Sequence, residues 1–463
     1  MKFNGDLALN INQSILILYL LLESIVSITN YSSLANYLVS LGVKRAVYKL
    51  LSENDNSKQQ IYMGSDFSFL TEIPFGEITR YPDVKMPNFK APVDLWWINE
   101  NLETAPAPDA QLILYPKYPE VRLSGFMRGC RTSPTGYMNP VPAKKRGEKN
   151  AKDGRVLILG ITDGTRIYAY LAVKNSLVAR SIPPEGFPEG QAGGILQRFP
   201  LFSEADNSRE QLLAKLSDII DKSWIESCRM GSNGRIMHYN AINGGGYTLE
   251  ALFGVIPNGR AEPDFMGWEL KAFTGNRITL MTPEPDAGYY REHGAKEFVL
   301  RYGHNTSDAV KYFTGTHKAG IHNKTSSMLM EIRGFDNNKG IITDVSGGIF
   351  LLAPDGSEAA VWSFPVLMKH WSRKHAHACY VRYDREIRDG KQGFIYRNPV
   401  WLGECTNFVL FLKAIDSGDI VYDPATKVEQ LKTGNTGVKA RSQFRINFKE
   451  LKNLYYTFNE QEL

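Results

Sequence analysis

The chain has 463 residues, 43% of them hydrophobic and 22% charged. That length exceeds one ordinary core, so two or three domains are expected, and the composition excludes a disordered or collagen-like chain. A net charge of +5 fits a nucleic-acid partner without requiring one.

From the N-terminus, Ile15 to Leu22 is an apolar run ended by Glu23. It is far short of the roughly 20 residues of a membrane span. It lacks the basic lead-in and small-residue cleavage site of a signal peptide. A buried helix and no membrane partner are expected. Residues 13–52 read as helical. Ser33 is placed to cap a second helix through Leu34, Tyr37, Leu38 and Leu41, with Val43, Val47 and Leu50 beyond Gly42. Residues 34–51 come near a helix-turn-helix, but the turn is too long, which favours plain helical packing. Residues 1–60 thus form an N-terminal helical segment.

Residues 61–195 change character. Short apolar runs such as Leu112–Tyr115, Val156–Leu159 and Ile167–Val173 alternate with Pro and Gly clusters. This predicts a mostly β domain, a barrel or a sandwich. It carries two basic series, Arg122, Arg128 and Arg131, then Lys144, Lys145 and Arg146. They suit phosphate contact without requiring it, and a solvated loop is the plainer reading of Lys144–Arg146. A Pro/Gly-rich connection over 187–205 leads to a helix from Ser208 to about Ser227, and residues 196–463 read as a mixed α/β domain. The cysteines Cys130, Cys228, Cys379 and Cys405 share no CxxC spacing. They are expected as reduced thiols of a cytosolic protein. His370, His375 and His377 lie near Cys379 but lack a second ligand pair for zinc.

The chemistry concentrates in two segments. In Gly244-Gly-Gly-Tyr-Thr-Leu-Glu-Ala-Leu-Phe-Gly254, a glycine turn opens a helix carrying Glu250. No Lys-Ser/Thr follows the glycines, which excludes a nucleotide-binding P-loop. Residues 263–271 read Pro-Asp-Phe-Met-Gly-Trp-Glu-Leu-Lys. Strand side chains alternate, so Glu269 and Lys271 share a face while Trp268, Leu270 and Ala272 take the other. Asp264, Glu269 and the Leu270 carbonyl suit Mg²⁺, a hard cation that prefers oxygen ligands. Lys271 can orient or deprotonate a water, or offset charge on a phosphate. Glu250 can join a second metal or hold a water.

These two segments together resemble the MvaI/BcnI restriction endonucleases, relatives of the MutH nickase among the PD-(D/E)xK nucleases. The resemblance runs from about Ser208 to the C-terminus. It implies a restriction-endonuclease-like mixed sheet flanked by helices. It places Asp264, Glu269 and Lys271 at the catalytic positions and Glu250 at the upstream helix acid. Phe364 to Val381, with Lys369, Trp371, Lys374 and Tyr380, resembles a later helix and strand. Arg441-Ser-Gln-Phe-Arg445 resembles the C-terminal Phe-Arg strand, although Gly437-Val-Lys-Ala stands where a His/Asp-rich approach is usual.

The resemblance implies a prokaryotic, cytoplasmic, Mg²⁺-dependent type II enzyme. It would cut double-stranded DNA at a short C/G-rich sequence, acting as a monomer. Arg441, Arg445 and His375 become candidate DNA contacts. EcoRII-like enzymes carry an N-terminal domain that binds a second DNA site, and residues 61–195 would suit that role. Two alternatives remain open, a MutH-like nicking repair enzyme and a non-catalytic DNA-binding protein that keeps the fold.

Overall fold

The computed structural model describes residues 28–463, apart from 149–150, 188–189, 191, 193–194, 202–207, 257–262, 308 and 431–435. The expected helix around Ile15–Leu22 lies outside the described residues. Helix α1 (Tyr31–Ser40) starts at Asn30 rather than at Ser33. The Asn30 side chain accepts from the Ser33 amide at 2.9 Å, and the Ser33 hydroxyl accepts from the Asn30 amide at 3.1 Å. That reciprocal pair satisfies two N–H groups that a helix start leaves open. Gly42, at φ +81°, ends the helical path.

Beyond Gly42 the helical expectation is corrected. Val43–Ser52 is strand β1, paired antiparallel with β7 (Lys152–Thr162) on one side and β9 (Gln197–Phe199) on the other. Val43, Val47 and Leu50 mimic helical spacing because β1 is buried on both faces, which erases the period-two signal. The helix-turn-helix reading falls with it. Ala46 and Tyr48 pack with Leu34, Ala35 and Leu38 of α1, while Val47 and Leu51 face the opposite core.

That opposite core lies between two sheets. One sheet runs β9, β1, β7, β8 (Arg166–Ala172), β4 (Asp94–Ile98), then Thr104–Pro106. The other runs β2 (Gln60–Gly64), β6 (Glu120–Ser124), β5 (Gln111–Tyr115), β3 (Asn88–Pro92), then Thr79–Tyr81. Leu95, Trp97, Leu157 and Leu159 meet Ile61, Met63, Leu112 and Leu123 between them. Neither sheet closes on itself among the described residues, so the β-rich region is a sandwich rather than a barrel.

The C-terminal region is built on β14 (His377–Arg388). Its first half pairs in parallel with β12 (Trp268–Phe273), in register Trp268↔His377, Glu269↔Ala378 and Lys271↔Tyr380. The same half pairs antiparallel with β16 (Val400–Glu404), which continues to β18 (Thr457–Gln461). The second half pairs with β15 (Lys391–Tyr396). Helices α3 (Ser208–Asp221) and α4 (Gly244–Leu252) cover one face, where Leu212, Leu216 and Leu249 meet Trp268, Leu270, Cys379 and Val381. Helix α5 (Phe364–Lys374) leads into β14 and buries Trp371 on the other face. This is the expected mixed α/β architecture, richer in strands than in helices. No helix among the described residues is long and apolar enough to cross a membrane.

A polar seam joins the sandwich to the C-terminal region. Short helix α2 (Phe69–Glu72) lies by α5, Arg45 pairs with Glu72 at 3.4 Å, and Lys369 pairs with Glu77. Arg198, in β9, donates to His377 Nε2 at 3.3 Å.

Candidate active site

The glycines opening α4 serve packing. A Cβ on Gly245 would sit 2.3 Å from the Tyr383 ring, and one on Gly244 would sit 2.6 Å from Ser227 Oγ. Tyr396 donates its hydroxyl to the Gly245 carbonyl at 2.7 Å. Thr248 Oγ1 accepts from the Cys228 amide at 3.0 Å and donates to the Cys228 carbonyl. These contacts press α4 against the sheet and fix where Glu250 stands.

Asp264 is positioned by a tight turn. Phe265 and Trp268 exchange backbone hydrogen bonds of 2.8 and 2.9 Å, with Met266 at φ +46° and Gly267 at φ +89° between them. Two left-handed residues in succession define the primed hairpin turn that matches strand twist. The turn folds Asp264 back, so its Oδ2 accepts from the Leu270 amide at 2.9 Å.

Glu269 and Lys271 share a face of β12 as the alternation required. Glu269 is only 1% exposed. Its Oε1 accepts from Lys271 and, at 3.4 Å, from Lys374 at the end of α5, whereas its Oε2 is buried without a hydrogen-bond partner. Burial opposes ionisation of Glu269, but the two ammonium groups outweigh it and hold the carboxyl below its usual range. Lys271 shows the mirror image. Burial disfavours its charge, yet Glu269, Asp264 and Glu250 raise its pKa, so it stays an ammonium.

Asp264 and Glu250 are pushed the other way. Burial and then the neighbouring Glu269 raise Asp264, while burial and then Asp264 raise Glu250 to about 7. Three acids and two lysines therefore meet at one edge of the sheet. Anionic oxygens crowded this way, one of them buried and unpaired, are the environment a divalent cation relieves. No set of three or more His, Cys, Asp or Glu among the described residues is close enough to hold a metal as it stands. The donor set of Glu269 Oε2, Asp264 and Glu250 nonetheless fits a hard cation by its chemistry.

The other candidate residues are placed differently. His375 is fully buried, stacked on Trp371 at 4.3 Å, with one ring nitrogen donating to the Leu280 carbonyl and the other bonded to the Tyr455 hydroxyl. It is a core residue, which corrects its reading as a DNA contact; it caps α5 where the chain turns inward. Burial pushes its pKa down to about 3, so it is neutral. Arg445 is held by Asp423 at 2.8 Å and donates to the Arg277 carbonyl. Arg441 is exposed and lies near Tyr247, one turn of α4 before Glu250.

The remaining basic residues belong to the sandwich. Arg122 is bound to Glu120 and Gln60, and Arg146 donates to the Val141 carbonyl. Arg128 is exposed beside Asp109, and Lys144 and Lys145 are exposed. Lys374 was visible in the sequence only as part of a resembling helix. Its approach to Glu269 spans 105 residues, and no local pattern announces it.

No curated protein matches the chain. Among solved structures, restriction endonuclease MvaI in complex with its cognate DNA substrate is 18% identical, with a TM-score of 0.43; the match covers 54% of this chain and 97% of that one. MvaI in the absence of DNA is 16% identical with a TM-score of 0.30, covering 55% and 97%. The family model of the MvaI/BcnI restriction endonucleases matches residues 213–455, more than half of the chain, and spans all four of Glu250, Asp264, Glu269 and Lys271. The chain belongs to the MvaI/BcnI restriction endonuclease family.

Proposed function

We propose that the protein is a Mg²⁺-dependent type II restriction endonuclease that hydrolyses double-stranded DNA at a short, C/G-rich sequence. The observation that carries this reading is the buried, unpartnered Oε2 of Glu269, set among Asp264, Glu250, Lys271 and Lys374. Asp264, Glu269 and Glu250 would hold the cation, which when bound polarises the scissile phosphate and favours attack by water. Lys271, kept charged by its acidic neighbours, offsets the negative charge that builds on the phosphorus oxygens. Glu250 accepts a hydrogen bond from the attacking water. In-line attack forms a bond from the water oxygen to phosphorus and breaks the P–O3′ bond; the water gives up one proton and the departing 3′-oxygen takes one up from solvent, leaving a 3′-hydroxyl and a 5′-phosphate.

Residues 61–195, with the segment before them, would act as an accessory unit binding a second DNA site, and residues 196–463 would cut, as a monomer in a prokaryotic cytoplasm. Exposed Arg128, Lys144 and Lys145 support DNA contact by the accessory unit.

Digestion of DNA of known sequence with Mg²⁺, followed by sequencing of the cut ends, tests the reading. Discrete double-strand ends at one motif, lost in Lys271→Ala, are expected. Nicks in one strand alone would favour a MutH-like repair enzyme, and binding without cutting a DNA-binding protein. Lys271→Ala cutting as fast as wild type would remove the catalytic assignment.

A further inference from the structure

Between α3 and α4 the chain makes a hairpin of β10 (Cys228–Met230) and β11 (Ile236–His238), then a loop to Asn243. Its root is rigid. Cys228 is bonded at both backbone groups to Thr248 of α4, and the Tyr239 amide donates to the Ser227 carbonyl at 3.1 Å. Its turn is closed by the Gly231 amide on the Arg235 carbonyl at 2.8 Å and by Asn233, whose side chain accepts from the Arg235 amide.

What the hairpin shows to solvent is unusual. Ile242 is 80% exposed, Ile236 59% and Met237 38%. Single exposed apolar side chains need no explanation, but three within seven residues on one projection do. The same surface is basic. Arg229 and Arg235 are exposed, and residues 228–243 contain no acid. Glu226, at the root, is taken by His238 and Lys391.

The hairpin also adjoins the acids. Arg229 lies over the Tyr239 ring at 5.4 Å, and Tyr239 meets Tyr247 edge-on at 5.1 Å. Tyr247 precedes Glu250 by one helical turn and has Arg441 beside it. A continuous strip, Arg229, Tyr239, Tyr247 and then Glu250, thus links the exposed apolar tip to the candidate metal site.

We propose that residues 228–243 are a DNA finger: Ile236 and Ile242 enter a groove against the bases, and Arg229, Arg235 and Arg441 hold the flanking phosphates. This rests on the nuclease reading above. The partner follows from the chemistry. A duplex bound at the acids must present phosphates within reach of these arginines, and beyond the phosphates lie base edges and thymine methyls that an apolar tip can touch. Apolar wedges on a basic mount are a recurrent way to read or part a base step. The tip would contribute to sequence preference, while the arginines would contribute to affinity for any duplex.

The test uses the full-length protein, a duplex carrying the cut site and a scrambled duplex, with Ca²⁺ replacing Mg²⁺ to measure binding before cutting. Ile242→Ala is expected to lose roughly tenfold in preference for the cut site, with the salt dependence unchanged. Arg235→Ala is expected to weaken both duplexes alike and lower the log–log salt slope by about one. Because Ile242 is so exposed, its variant should melt like wild type, and Ile236→Ala serves as a second probe. Wild-type preference in both isoleucine variants would overturn the proposal, as would a change in oligomeric state alone. A wild-type protein that binds the duplex but never cuts it removes the nuclease reading and leaves the finger to be judged by binding. One that binds no duplex overturns both.

Discussion

Lys374→Met removes one of the two ammonium groups on Glu269 while keeping the length of the side chain. At 3.4 Å, a unit charge pair at an effective dielectric of about 20 has an attraction of about 5 kcal/mol. Several effects reduce the net change. Lys374 is a quarter exposed, so water screens the pair and part of the attraction only offsets desolvation; Lys271 remains on the same oxygen, and a bound cation compensates further. A loss of about 1–2 kcal/mol in stability without divalent cation is therefore expected. Cutting should slow by about tenfold, because Glu269 is less firmly anionic and its carboxylate freer to turn. Melting in EDTA and in Mg²⁺, with single-turnover cleavage of a plasmid, measures both effects. Lys374→Arg should recover part of each, since it restores the charge. If Lys374→Met melts and cuts like wild type, the second lysine does not hold Glu269 and the electrostatic account of the site is wrong.

Mg²⁺ should raise the melting temperature, because it relieves repulsion among Glu250, Asp264 and Glu269; a hundredfold excess over Kd contributes about 2.7 kcal/mol, and a melting curve that monovalent salt shifts equally at matched ionic strength would count against a metal site there. Acid should destabilise the fold early. Burial lowers His375 to about 3, and His317 and His377 to about 4, so all three fold neutral while the unfolded chain takes up protons first. Their contribution is complete above about pH 6.5 and is lost as pH falls toward 4; urea midpoints that stay flat from pH 7 to 4.5 would contradict it. Gly245→Ala should cost about 1–3 kcal/mol by driving a methyl into the Tyr383 ring. Its cutting should drop with it as α4 and Glu250 shift, and an unchanged melting temperature would show that α4 has more room than described.

The parts legible in the sequence are those set by local geometry. Period two placed Glu269 and Lys271 together and sent Trp268 and Leu270 to the helix-covered face, where they lie. The acidic helix after the glycines emerged because helix signals sit within a few residues of one another. Strand β1 was misread because a strand buried on both faces has no polar face to reveal it. His375 remained a candidate DNA contact because the sequence carries no sign that the end of α5 turns into the core. Arg445 gave no hint that Asp423 occupies it, and Lys374 none that it meets Glu269, since both pairings are made by tertiary folding.

The seam at Arg198 has a consequence for how this chain can be cut and rejoined. His377 is the first rung of the ladder that holds the strand with Glu269 and Lys271, and its ring meets Trp268 at 5.2 Å. Its side-chain nitrogen is gripped by an arginine that precedes residue 208, as Lys369 is by Glu77. A graft carrying only the catalytic half would turn His377 toward water, strip Lys369 of its acid, and loosen the strand one residue from Glu269. Exchanging the front half for another module is thus a repair of that rung first and, on the proposed division of labour, a change of target second.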